Sequence, residues 1–172
     1  MFRTLAVLWC GILINVSSCA QTAPTFDPSD DLATANLKGL KGVGVVVTDI
    51  EADLLGAGIT DTQLKVDAEQ RLKTVGINVL TGKERLNSPG RPYVYVSVVT
   101  QCDSRTDLCS VEVAVKLMER VSLERSPNLF TYASTWNRGA LLILPRERLA
   151  EVRGLVGVYL GQFTNAYVVS SR

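Results

Sequence analysis

The chain contains no histidine among its 172 residues. That absence removes Ser-His and Cys-His nucleophile pairs, imidazole general bases and His-ligated zinc. Carboxylate, lysine or cysteine chemistry survives, but each needs its own constellation, and none stands out. A charge excess is missing too: Lys plus Arg is 18 against 17 for Asp plus Glu. A chain so near neutrality has no long-range field to gather nucleic acid or an anionic surface, so nucleic-acid binding is set aside. Gly39, Gly42 and Gly44 superficially resemble a phosphate loop, but they precede an apolar run, whereas such a loop follows a strand and opens a helix. Asp49, Glu51 and Asp53 alternate like the early ligands of a calcium loop without its later glycine and distal glutamate, so they read as a solvated turn. The expectation is a protein with no catalytic residues, no metal and no cofactor, and not an enzyme.

What is present begins with a leader. Met1 to Ala20 has the three-part layout of a secretory signal: Arg3 and the amino terminus, an apolar stretch from Leu5 to Val16, then Ser17, Ser18, Cys19 and Ala20. The apolar stretch is too short to span a bilayer unaided. Two cleavage points fit. Ser18 and Ala20 supply the small side chains of an ordinary site, which would make 1–20 the signal peptide. Alternatively, Val16-Ser17-Ser18-Cys19 resembles the bacterial lipobox, which would end the signal at residue 18 and lipidate Cys19. That resemblance implies outer-membrane sorting in a Gram-negative host, since Ala20 carries no retention signal. Either reading places the mature chain outside the cytoplasm, in the periplasm or secreted; under the second, a lipid at Cys19 is its one membrane contact and anchors it to the outer membrane.

About 150 residues then remain, one domain of ordinary size, and 47% hydrophobic residues suffice for a core. Pro24, Pro28 and Ser29-Asp30-Asp31 make 21–42 a flexible tether, with a short helix over Asp31–Leu40 left open. The single domain is 43–172. Val43–Val47 reads as a buried first strand. Thr60 and Gln63 form a capping box, Ile59 and Leu64 a hydrophobic staple, and Leu64, Ala68, Leu72 and Val75 one face of a helix that Gly76 ends. Ile77–Leu80 follows as a short strand, parallel to the first. Lys83–Arg91 is a polar loop. Tyr93–Thr100 alternates, with Val94, Val96 and Val98 on one face and Tyr93, Tyr95, Ser97 and Val99 on the other. Val111, Val113, Val115 and Leu117 face one way on the next strand, Glu112 and Lys116 the other. Leu129–Trp136 is a further strand. Pro145 opens a last helix whose stripe is Leu149, Val152, Val156, Tyr159, Phe163 and Tyr167. The fold class is α/β (α+β): a mixed sheet of four to five strands, two helices on one face, order β-α-β-β-β-β-α.

Three features stand out within that frame. Cys102 and Cys109 bracket the hairpin connection, which in an exported chain predicts a disulfide; a redox pair would have the tighter Cys-x-x-Cys spacing. Gly154, Gly157 and Gly161, with Ala150, make a small-residue strip along the last helix, read as close packing against the sheet, with a partner helix as the sharper alternative. Tyr93 and Tyr95 share a face with Ala114 and Met118 of the neighbouring strand, a semi-apolar patch of the composition found in interface cores.

The short strand, the helix capped at Gly58-Ile59-Thr60 and ending Val75-Gly76-Ile77, the long hairpin, Thr135-Trp136 with Gly139 beyond, and the final helix through Phe163 to Tyr167 resemble small exported bacterial α/β proteins of unknown function. The strand order is also similar to accessory domains of cell-envelope assembly lipoproteins, a likeness of fold alone. The resemblance implies no activity. The expected function is therefore a non-enzymatic protein-binding or assembly module of the cell envelope, its partner another envelope protein. The alternative is a small-ligand-binding periplasmic protein.

Overall fold

Alternating β-branched residues build the centre of the molecule. In the computed structural model, which describes residues 34–171, strands β1 (Gly44–Val47), β2 (Tyr93–Asp103), β3 (Leu108–Leu123) and β4 (Ser126–Pro145) form one sheet in the order β1-β2-β3-β4. The leader, Cys19 and the first part of the tether lie outside the described residues. β1 runs parallel to β2, and the other pairs are antiparallel. Val94, Val96 and Val98 stand opposite Leu117, Val115 and Val113, and all six are buried. That face carries the core; the other, with Tyr93 and Tyr95, stays partly open among the described residues.

The helices are α1 (Ala52–Gly56), α2 (Asp61–Thr74), α3 (Gly82–Asn87) and α4 (Val152–Ser170), the last preceded by a 3-10 turn over Arg146–Glu151. α2 starts as its sequence dictates: Gln63 N–H donates to the Thr60 hydroxyl at 3.2 Å, and Ile59 and Leu64 are both buried. The reciprocal half of that cap is not made. The Gln63 amide sits instead between the Gly58 carbonyl at 3.0 Å and Arg153 at 2.7 Å. Gly76 follows at φ +81°, the left-handed conformation that ends a helix. Val152, Val156, Leu160 and Phe163 of α4 are buried, and Tyr159 and Tyr167 pack at the margin of the core. Phe163 meets Trp136 of β4 edge-on, ring centres 5.1 Å apart.

Several elements differ from expectation. Ile77–Leu80 is reduced to an isolated parallel bridge, Val43 with Val79. Asn78 and Leu80 bracket Val43 with two backbone bonds of 2.9 and 2.8 Å, and Thr81 then turns the chain. The segment 83–91, read as loop, begins with α3, whose capping box is complete: Thr81 Oγ1 accepts from Glu84 N–H, and the Glu84 carboxylate accepts from Thr81 N–H at 2.8 Å. β4 does not stop at Trp136 but continues to Pro145. Pro145 therefore caps a 3-10 turn and does not open the α-helix. Residues 34–42 are not all tether, because Leu37 is completely buried and the Asn36 amide donates to the Thr135 carbonyl at 3.0 Å. The glycine strip does not pack on the sheet: side-chain space at Gly154 and Gly157 is open, while Gly161 lies under the Arg71 guanidinium of α2.

The Thr81 cap has a measurable signature. Its backbone and side-chain hydrogen bonds hold the Glu84 carboxyl below the usual glutamate range. A depressed carboxyl favours the folded helix above the unfolded value and loses that contribution as pH falls through the folded one. NMR titration should give Glu84 a midpoint below that of an unstructured glutamate, and Thr81→Ala should move it back up. A Glu84 midpoint unchanged by Thr81→Ala would contradict the cap.

Candidate interaction face

The hairpin that organises this face is stapled at its turn. Cys102 and Cys109 are direct cross-strand partners with Cα atoms 4.0 Å apart, and they form the expected disulfide. Sequence reading left about six residues between the cysteines as connection; β2 and β3 in fact continue past both, to Asp103 and Leu108. Asp107 takes φ +56°, a conformation Asp tolerates, and its carboxylate accepts from Arg146 at 3.1 Å. Arg146 also pairs with Asp53 of α1, so one guanidinium ties the hairpin turn to α1 and the 3-10 turn. The two carboxylates raise the Arg146 pKa, with Asp53 contributing most. Asp53 is thus an ion-pair partner. Among the described residues no group of three or more potential metal ligands is gathered.

Register then places the sequence-selected interface residues. Tyr93 stands opposite Met118, Tyr95 opposite Lys116, and Ser97 opposite Ala114. Tyr93, Tyr95 and Met118 are half-buried, while Ala114 is 4% exposed and unavailable for contact. Ala114 is closed off by Gly139 of β4, where an added Cβ would come within 2.5 Å of the Val113 carbonyl oxygen and 3.1 Å of Ala114. The patch is therefore carried by the tyrosines and Met118.

The structure adds residues that the alternation pattern did not reveal. Tyr132 of β4 packs against Tyr93, ring centres 5.7 Å apart, and Tyr93 meets Tyr95 edge-on at 6.4 Å. Arg85 of α3 lies over the Tyr93 ring at 5.2 Å. It reaches that ring across Gly44, where a Cβ would stand 2.8 Å from the arginine Cδ and would push the arginine side chain aside. Beyond Met118 the sheet narrows, and β3 and β4 continue as a two-stranded arm. Along it Arg120 covers the Phe130 ring at 3.8 Å, and Leu129, Phe130 and Tyr132 are exposed. A register shift between Leu117 and Met118 skips Thr135 and sets which β4 side chains join the tyrosines.

The face is thus an aromatic and methionine patch rimmed by Arg85, Lys116 and Arg120, with apolar side chains continuing along the arm. It offers broad contact area and hydrogen-bonding hydroxyls, and gathers no nucleophile and base. Against known proteins, no family model, no curated protein and no solved structure matches the chain.

Proposed function

We propose that this chain is an exported cell-envelope protein whose domain binds another protein through the open face of its sheet, without catalysing a reaction. The observation that carries the reading is the cluster of Tyr93, Tyr95 and Tyr132 beside Met118, covered among the described residues only by the Arg85 side chain, on a sheet whose other face carries the core. Aromatic side chains and methionine are enriched at interface cores, and a few such anchors supply most of an interface's energy. The signal-like layout of the Met1–Ala20 sequence supports export, and a hairpin disulfide suits an oxidising compartment. Cys19 as lipid anchor belongs to the same reading. The small-ligand alternative has less support. Phe163, Trp136 and Leu117 fill the space between sheet and helices, and surface concavities of about 320 and 510 Å³ lie beside Leu40 and Pro89 and between α2 and α4.

Tyr93→Ser with Tyr95→Ser is the test. The double variant should fold with unchanged circular dichroism but melt below the parent, because both side chains are partly buried and Tyr93 packs against Tyr132. An envelope protein retained by the tagged parent should be lost by the variant. Equal retention by both would remove the face from the binding reaction.

A further inference from the structure

β4 has a second feature, independent of the tyrosine face: it is an edge strand whose outer side, from Gly139 to Ile143, pairs with no strand among the described residues. Thr48 N–H bonds the Val96 carbonyl at 3.0 Å, and Val98 N–H bonds the Thr48 hydroxyl, so the even-numbered peptide groups of β2 point to β1. The pairs Val96–Val115, Val98–Val113 and Cys102–Cys109 are therefore non-hydrogen-bonded, in keeping with the 4.0 Å Cα separation of the last. Carried across β3, this alternation turns Trp136, Arg138, Ala140, Leu142 and Leu144 of β4 inward, and the N–H and C=O groups of Gly139, Leu141 and Ile143 outward. No strand lies beyond them among the described residues. Side chains of the same outward residues are solvated: Leu141 and Ile143 are each 73% exposed.

Soluble proteins blunt such an edge with lysines, prolines, bulges or brevity. Between Trp136 and Leu144 this strand has no lysine, proline or bulge, and its one charge, Arg138, reaches the edge at the Asn137 carbonyl, leaving Gly139, Leu141 and Ile143 without a charged neighbour on the strand. An open row of peptide groups beside apolar side chains is complementary to another extended apolar strand. We propose that the occupant is a second copy of this chain, β4 pairing antiparallel with β4 about a two-fold axis at Ala140, so that two four-stranded sheets become one.

The axis follows from the strand itself. The regular ladder runs from Trp136, just past the skipped Thr135, to Pro145; the proline has no N–H for a new ladder, and Ala140 is the midpoint of the Trp136–Leu144 stretch before it. Antiparallel self-pairing there sets Gly139 opposite Leu141 of the second copy, small against large, and Asn137 opposite Ile143 of the second copy. Two-fold symmetry makes each contact twice. Charge is compatible. Arg138 faces Leu142 of the second copy, and the two Arg138 side chains stand four register positions apart, about 14 Å at strand rise, beyond the screening length of about 8–10 Å. Arg138 also donates to the Asn137 carbonyl at 2.7 Å, which leaves that oxygen a second lone pair for the ladder.

The full chain, exported and purified as the cell yields it, should sediment as a dimer, and Leu141→Lys with Ile143→Lys should make it a monomer with unchanged circular dichroism. Tyr93→Ser with Tyr95→Ser should leave the dimer intact, which separates this proposal from the sheet-face reading. Ala140→Cys should cross-link to its symmetry mate under oxidising conditions, because the two residues are a non-hydrogen-bonded pair like Cys102–Cys109. Leu142→Cys should not, since its mate stands about 14 Å away along the strand and a disulfide needs Cα atoms within about 7 Å. A monomeric parent up to its solubility limit overturns the proposal. So does a parent dimer that survives the lysine pair, or one in which Leu142→Cys cross-links and Ala140→Cys does not.

Discussion

Phe163→Ala should cost about 3–5 kcal/mol of folding free energy, the range for removing a fully enclosed phenylalanine. The Phe163 side chain is fully buried among residues of the sheet and α4, with the Trp136 indole edge-on at 5.1 Å. Truncation removes apolar area from the core, opens a cavity and forfeits the ring contact. The neighbours cannot easily close the gap, because Trp136 is fixed on a strand and Leu160 on the helix turn before it. For a domain whose total stability is about 5–15 kcal/mol, this is a large fraction. Urea unfolding should show a lower midpoint with a nearly unchanged slope, the signature of lost stability in an otherwise similar native state. Phe163→Leu should retain part of the difference. A loss below about 1 kcal/mol for Phe163→Ala would mean that the core is not centred on this contact.

Removing the Cys102–Cys109 bridge should cost about 2–3 kcal/mol, from a closed loop with a sequence separation of 7 and the chain-entropy relation. The expected readout is a lower urea midpoint for Cys102→Ala with Cys109→Ala, together with retained circular dichroism. The fold should survive, because β3 pairs with β2 and β4 along most of its length and does not depend on the turn alone. Alanine is chosen over serine at position 109 because that side chain is fully buried, and a hydroxyl there would lack water. Thiol titration of the denatured, unreduced parent adds a chemical check: neither Cys102 nor Cys109 should react. Two free thiols at those positions would contradict the bridge.

Much of the fold was legible because its signals are local. Val94, Val96 and Val98 alternate with Tyr93, Tyr95 and Ser97, and that period assigns strand and face. Thr60 and Gly76 mark the start and stop of α2 by chemistry confined to one turn at each end. The disulfide needed only two cysteines about a hairpin. The continuation of β4 was not legible, since Asn137-Arg138-Gly139 interrupts the apolar pattern and Leu141–Leu144 is a continuous apolar run without alternation. α3 was missed because it is short and buries no residue, so periodicity had nothing to report. In the candidate site, Tyr93, Tyr95 and Met118 share the face opposite the core, as their alternation predicts, but each is partly buried and not exposed. Ala114 is closed off because Gly139 allows β4 to press against it, a cross-strand fact that neither strand states alone. Tyr132 and Arg85 reach Tyr93 only through a register shift and a gap over Gly44, both of them tertiary.

The burial of Leu37 changes the arithmetic of distance. A tether running to Gly42 would include residues 34–42, at about 3.4 Å apiece some 30 Å of extended chain. With Leu37 plugged into the core, Asn36 holding the Thr135 carbonyl and the Tyr167 hydroxyl holding the Leu40 carbonyl at 3.3 Å, that length is withdrawn from reach. Tension from the amino-terminal side does not begin at β1: it arrives first at β4 and the end of α4, so the buckle at Leu37 must slip before the first strand carries any load.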